Sequence, residues 1–254
     1  VLILGGDGYL GWPTAVNFAH AGHEVAVVDN YWKRRIESSI GVEPLIQMPR
    51  LHERARALRD SRGIDVDVFI GDIAKDYEFL SHVLNAFSPE AIVHYAEQPS
   101  APYSMANVTT ARETQINNVV GTLNLGFAVA ERDPGINIVK LGTMGEYGTP
   151  NIRIEEGWLN LEHGGRRDRV LFPKKPHSFY HLSKVHDSHN LEFMCRVWGL
   201  RVTDLNQGVV YGHRTPEFAD AAFSSAFHYD GIFGTVLNRF AVQAMLGEPL
   251  TVYG

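Results

Sequence analysis

A glycine-rich turn between an apolar run and a helical stretch limits the folds open to this chain more than any other feature. Residues 1–4, Val-Leu-Ile-Leu, run straight into Gly5-Gly6-Asp7-Gly8-Tyr9-Leu10-Gly11. An apolar, β-branched run stopped by glycines reads as a buried strand entering a tight turn. Residues 12–21 carry helical spacing, with Pro13 suited to the first turn and Gly22 to the exit. Residues 24–29, Glu-Val-Ala-Val-Val-Asp, form a second buried strand. Strand, helix and strand within about 30 residues make the βαβ unit of a dinucleotide-binding fold. In that unit Gly5, Gly8, Tyr9, Leu10 and Gly11 would let the backbone approach a pyrophosphate at the helix N-terminus. The same glycines would also serve a turn that holds no ligand.

The alternation continues along the chain. Strands are expected at 66–70, 91–94, 136–141 and 201–206, and helices at 77–87, 109–131 and 180–197. This pattern predicts an α/β fold, a doubly wound and mostly parallel sheet of the Rossmann type covered on both faces. Three stretches interrupt it: 31–63, with a helix expected around 51–59; the Gly-, Pro- and charge-rich 149–178; and 213–234. Long irregular loops in compact domains tend to be lids or binding loops. The division expected is an NAD-binding domain over 1–206 and the beginning of a smaller sugar-binding domain over 207–254. Leu250-Thr251-Val252-Tyr253-Gly254 reads as a buried strand at an abrupt end, and Val1 opens in mid-strand, so the sequence is expected to be a fragment.

Composition narrows the function classes. The 254 residues are 44% hydrophobic and 20% charged, as in an ordinary globular chain, and the formal charge of -6 argues against a nucleic-acid surface. The basic clusters Lys33-Arg34-Arg35 and Arg166-Arg167 read as solvated loops or as a local phosphate partner. Cys195 is the only cysteine, which leaves no internal disulfide and no cysteine metal site. His177, His181, His186 and His189 lack the context of a zinc helix, and no metal is expected. No apolar run is long enough to span a membrane, so a cytoplasmic location is expected, with a plastid one open because a leader could precede Val1.

Three further pieces carry chemistry. Asp29, with Asn30 beside it, ends the second strand, where a carboxylate accepts from the adenosine ribose hydroxyls and repels a 2′-phosphate, favouring NAD over NADP. Lys33 to Arg35 argue the other way. Gly71-Asp72-Ile73 follows the third strand and suits the adenine edge, or Asp72 simply caps a helix. Tyr180 and Lys184, four apart in Tyr-His-Leu-Ser-Lys, share a helix face. An ammonium beside a phenol favours the phenolate and would make Tyr180 a base near neutral pH. Thr143, in Gly142-Thr143-Met144-Gly145-Glu146-Tyr147-Gly148, follows an apolar strand at the edge where open α/β sheets bind ligands. It could bond a substrate oxygen, or be a turn threonine.

With the glycine spacing, Asp29, Asn118-Val119-Val120-Gly121-Thr122, Thr143 and the Tyr180/Lys184 pair, the chain resembles the extended short-chain dehydrogenase/reductase enzymes of nucleotide sugars. Ser100-Ala-Pro-Tyr-Ser-Met105, the run from Lys140 to Asn151, the run from Phe179 to Asn190 and Asp204-Leu-Asn-Gln-Gly-Val-Val-Tyr-Gly212 are similar to the sulfoquinovose synthase branch. That resemblance implies NAD as a resident cofactor and a UDP-sugar substrate, with UDP-glucose and sulfite giving UDP-sulfoquinovose through a 4-keto sugar and loss of water across C5 and C6. It also implies a homodimer paired through helices 109–131 and 180–197. By the same resemblance Tyr180 takes the 4-hydroxyl proton, Lys184 holds ribose hydroxyls and lowers the tyrosine pKa, and Thr143 orients the sugar. Ser100, Met144 and Gly145 lie along the sugar, Asn206 meets the diphosphate, and Thr235, Asn238 and Arg239 line the UDP; for Arg239 an exposed helix position is an equal reading. Related dehydratases place Asp-Glu after the threonine, whereas this chain has Met144-Gly145, which makes Glu146 and His181 the candidates for moving the elimination protons. Pro99 stands where the branch usually carries arginine, the natural partner of a sulfur oxyanion. A 4-epimerase or dehydratase that uses no sulfite is therefore the rival within the class. A catalytically silent NAD-binding regulator is the rival from another.

Overall fold

The computed structural model of the protein describes residues 1–213 and 225–252. Among them, six strands form one parallel sheet in the order β3-β2-β1-β4-β5-β8. They are β1 (Leu2–Leu4), β2 (Ala26–Asp29), β3 (Asp67–Ile70), β4 (Ala91–His94), β5 (Asn137–Leu141) and β8 (Arg201–Leu205). Side chains alternate across each strand. Leu2, Leu4, Ala26 and Val28 face one core with Ile92, Ile138 and Leu125, while Ile3, Val25 and Val27 face the other with Trp12, Val16 and Leu58. The first core lies under helices α4 (Tyr77–Phe87), α7 (Gly121–Arg132) and α8 (Phe179–Trp198), the second under α1 (Gly11–His20) and α3 (Leu51–Arg62). The doubly wound parallel sheet expected from the alternation is the fold observed.

The differences have local causes. The interruption at 31–63 holds two helices, α2 (Trp32–Ile40) besides α3. Helix α2 starts from Tyr31 at φ 55°, a left-handed conformation that costs a bulky residue about 1–3 kcal/mol and is held here by Leu51 N–H donating to the Tyr31 hydroxyl. The single helix expected over 109–131 is α6 (Val108–Gln115), a π-helical turn (Ile116–Val120) and α7, while α5 (Ala101–Met105) precedes it. The π turn aims Asn118 inward: it accepts from Gln98 N–H at 2.8 Å and donates to Ser183 Oγ at 2.9 Å. Part of the irregular 149–178 is an antiparallel hairpin, β6 (Trp158–His163) and β7 (Arg166–Leu171), turned on Gly164 and Gly165 at φ 57° and 73°. Helix α9 (Val236–Leu246) follows the described loop after residue 225. The strand expected at 250–254 is not formed over 250–252. Leu250 and Val252 are exposed, and Thr251 is tied by N–H and hydroxyl to the Gln243 amide at 3.2 and 2.9 Å instead of to a neighbouring strand. Tyr253 and Gly254 lie outside the described residues, as does the middle of the expected interruption at 213–234.

Candidate active site

Strand order reverses between β1 and β4, and a crevice opens beyond the carboxyl ends of these strands. It is a cavity of about 630 Å³ running from the glycine turn to Tyr180 and on to α9. The turn is built for close approach. Gly5 sits at φ 88° with the Tyr95 carbonyl 2.6 Å from where a Cβ would stand, and a side chain at Gly11 would collide with the Gly5 carbonyl. No side chain caps the N-terminus of α1 at Leu10, and Gly8, Tyr9, Leu10 and Gly11 line the crevice there. Tyr9 also ties the turn to the far side of the crevice. Its hydroxyl donates to the Gly212 carbonyl and accepts from Asn238 Nδ2, and its carbonyl accepts from Ser225 Oγ at 2.8 Å.

Asp29 reaches the wall at the end of β2 with Asn30. Its two oxygens accept from the N–H groups of Asp7 at 2.9 Å and Tyr31 at 2.7 Å, which leaves further lone pairs for a ribose diol. Burial, and next the neighbouring Asp7 charge, raise its carboxyl to about 6. The basic run that argued for a 2′-phosphate is engaged within the protein. Lys33 pairs with Glu37 at 2.5 Å, Arg34 grips Asp7, and Arg35 donates to the Asn30 carbonyl. Ile73 lines the crevice, whereas Asp72 does not; it accepts from the turn N–H groups of Ala74 and Lys75 and from Asn30 Nδ2, while the N-cap of α4 is Asp76, so neither reading of Asp72 is realised.

At the other end Thr143 and Tyr180 line the same crevice. Thr143 is extended at the end of β5, its hydroxyl accepting from Gly145 N–H at 3.2 Å. Ser178 caps α8 through the N–H of His181 at 3.1 Å, and Tyr180 N–H donates to Ser104 Oγ at 3.0 Å, which fixes the entry of the helix. Lys184 follows one turn later, its Nζ 5.9 Å from the Tyr180 ring centre. It donates to the Leu141 carbonyl at 2.6 Å and pairs with the carboxylate of Glu97 at 2.7 Å. This pairing corrects the expectation that Lys184 lowers the tyrosine pKa. Burial, then the Glu97 charge, hold the Tyr180 phenol well above its ordinary value. Burial works against the Glu97 carboxylate too, but Lys184, then His94, keep it below the usual range. Asp187, one turn beyond Lys184, is fully buried, and burial and the facing Glu97 push its carboxyl far up. The raised direction at Asp187 and the lowered one at Glu97 favour a proton on Asp187 rather than on Glu97.

The two candidates for the elimination protons part company. Glu146 is fully buried and outside the crevice wall, paired with Lys174 and with Lys140 at 3.5 Å and accepting from Ser188 Oγ at 3.0 Å. Burial opposes its charge, yet the two lysines hold it ionised. His181 lines the crevice, its Nδ1 3.0 Å from Ser178 Oγ and its ring kept neutral chiefly by burial. A Cβ at Gly145 would strike the His181 Nε2, so the imidazole fills the space that a side chain at 145 would take. Ser100, Met144, Gly145, Thr235, Asn238 and Arg239 all reach the wall. Asn206 lies outside it, donating to the Tyr147 hydroxyl at 2.8 Å. Reading the sequence passed over Glu97, Asp187 and Asp7. Asp187 lies on the Lys184 face of α8, and a charged residue inside a phosphate-type turn implies a cation nearby; both signals were present.

Among the described residues no group of three or more His, Cys, Asp and Glu side chains could hold a metal, and no helix is long and apolar enough to cross a membrane. A close-approach glycine turn, open helix amides and a ribose-type carboxylate at one crevice fit a dinucleotide. Comparison with known proteins agrees. The chain is 50% identical to the chloroplastic UDP-sulfoquinovose synthase of Spinacia oleracea over all of its own length and 53% of that protein. It is 44% identical to the UDP-sulfoquinovose synthase of Sulfolobus acidocaldarius, again over its whole length and 65% of the relative. It thus spans roughly half to two-thirds of the relatives it matches. The UDP-glucose 4-epimerase of Thermotoga maritima, solved with UDP-glucose, superposes with a TM-score of 0.69 at 20% identity, over all of this chain and 65% of that one; such an identity speaks to the fold alone. The NAD dependent epimerase/dehydratase family matches residues 1–254 throughout, and with the crevice, turn and strand order that such a family requires, the chain belongs to it.

Proposed function

We propose that this chain is the cofactor-binding and catalytic portion of an enzyme that converts UDP-glucose and sulfite to UDP-sulfoquinovose and water. The observation that carries the reading is the His181 imidazole standing in the space left by Gly145, beside Thr143 and Tyr180, in a chain alike over its full length to two synthases of that name. Bound in the crevice, NAD would supply the hydride acceptor for C4 and return the same hydride at the end of the cycle. Tyr180 removes the 4-hydroxyl proton and gives it back when the ketone is reduced, while Thr143 orients that oxygen. The ketone at C4 acidifies C5–H. Loss of that proton and of the C6 hydroxyl as water forms the enone, with neutral His181 the better placed of the two candidate groups. A new C–S bond at C6 and reprotonation at C5 complete the addition of sulfite. Glu146 serves instead to anchor the turn after Thr143 between Lys140 and Lys174. Exposed Val108, Ile116 and Phe127 near one edge of α6–α7, and Phe193 and Val197 on α8, support a homodimer paired through these helices.

A second reading, an epimerase or dehydratase that uses no sulfite, is favoured by Pro99, which lines the crevice without a donor. The full-length protein incubated with NAD and UDP-glucose, with and without sulfite, separates them by mass spectrometry of the products. A sulfonated UDP-hexose that appears only with sulfite is expected; an epimerised or dehydrated sugar with no sulfur would sink the synthase reading. Tyr180→Phe is expected to retain dinucleotide while losing C4 oxidation by at least about a thousandfold. Binding without turnover in the wild type would instead point to a silent NAD-binding protein.

A further inference from the structure

The carboxylate inside the glycine turn has no part in the chemistry above, yet it is among the most heavily bonded side chains at the crevice. Asp7 is almost buried, at 7% exposed. Arg34 grips it with Nε at 2.5 Å and Nη2 at 2.9 Å, and Arg54 adds Nη2 at 2.6 Å. Arg54 is itself buried, its guanidinium 4.8 Å from the Trp12 ring centre. The rest of the Arg34 fork is filled by the carbonyls of Met48 at 2.9 Å and Pro49 at 2.8 Å. The backbone N–H of Asp7 donates to the Asp29 carboxylate, and both residues line the crevice.

Arg34 stands on α2 shortly after Asp29, and folds of this type use a nearby arginine to accommodate the 2′-phosphate of NADP. A phosphomonoester brings about two negative charges. Here it would meet two carboxylates at the ribose site and two guanidiniums already committed to one of them. We propose that Asp7 sets cofactor choice: it sequesters Arg34 and Arg54 and adds its own charge to that of Asp29, so the crevice takes NAD and rejects NADP. This deepens the NAD assignment and rests on it. An Asp29 left alone would still favour the diol, but a released Arg34 would compete with it.

The test is an equilibrium competition. Full-length protein is equilibrated with equal NAD and NADP, separated from free nucleotide, and the bound dinucleotide is released and identified by mass spectrometry. Asp7→Ala is expected to raise the ratio of bound NADP to bound NAD about tenfold or more over wild type. Asp7→Asn, which keeps the shape of the side chain and one acceptor, is expected to move it the same way by less. Adding Arg34→Ala to Asp7→Ala is expected to return the ratio most of the way. An unchanged ratio in both single variants while dinucleotide remains bound overturns the proposal, and so does a raised ratio that survives loss of Arg34. Wild type that retains neither nucleotide would overturn the NAD assignment itself, which keeps the two failures apart. A merely structural Asp7 would weaken both nucleotides together and leave the ratio in place.

Discussion

At the cofactor end of the crevice, Asp7 and Asp29 face Arg34 and Arg54; at the catalytic end, Glu97 pairs with the ammonium of Lys184 and Asp187 is buried close by. Both groups are buried beneath the same wall, but they are neutralised differently. The first balances carboxylates against guanidinium forks, whose several directed bonds fix the shape of the turn. In the second, burial and the Glu97 charge favour a proton on Asp187. A guanidinium keeps its charge at any accessible pH, whereas a carboxyl pair can take up or release a proton. Rigid charge therefore lies at the glycine turn, and adjustable charge lies under the tyrosine proposed to exchange protons.

The contrast can be broken from either side. The largest effect is expected for Arg54→Ala, which leaves Asp7 short of a buried partner and opens space against Trp12. A loss of about 3–5 kcal/mol in unfolding free energy is expected from denaturant titration. A loss under about 1 kcal/mol would show that Arg34 alone fixes the turn. Glu97→Gln is expected to cost less, about 1–3 kcal/mol, because Lys184 keeps the Leu141 carbonyl. Its sharper readout is kinetic. The Glu97 charge raises the Tyr180 pKa, so its removal lowers that pKa and moves the limb of the pH–rate profile that requires phenolate to lower pH; a shift upward, or none, refutes the assignment.

Smallest of all should be Asp187→Asn, within about 1 kcal/mol at acidic pH, since a neutral amide replaces an already neutral acid. The sign of the pH effect follows from a raised native pKa. The contribution is fully present below the unfolded value near 4 and is lost as pH rises through the native value. This component of wild-type stability should therefore fall as pH rises across that range, by up to about 1.4 kcal/mol per unit, and the Asn variant should lack it, giving a measurable difference in slope. Identical slopes would mean that Asp187 is ionised and the two ends are neutralised alike.

Much of this was legible in the sequence because period and punctuation are local. The glycine turn, the apolar strands 91–94 and 201–205 and the helix 77–87 need only neighbours along the chain to be read. Helix α2 was not, since Trp-Lys-Arg-Arg-Ile-Glu-Ser-Ser-Ile buries only Ile36 and Glu37 and starts at a left-handed tyrosine that no propensity suggests. The hairpin at 158–171 did carry a signal, the Gly164-Gly165 pair, but its strands are too charged to show alternation. At the site, Thr143, Tyr180 and His181 could be placed from spacing along β5 and α8. The role of Lys184 could not, because Glu97 approaches it from a loop 87 positions earlier, and only the folded sheet brings the two together.

The Tyr9 hydroxyl, bonded across the crevice to Gly212 and Asn238, has a consequence for timing. If a dinucleotide seated under the glycine turn lies beneath this tie, its departure would have to wait for the tie to open. An enzyme that removes a hydride and restores it to one sugar has no need to exchange its nucleotide between cycles. Slow release, a handicap for a dehydrogenase that must discharge its reduced cofactor to the solution, would under the proposed reaction keep the reduced form from escaping before the sugar is finished.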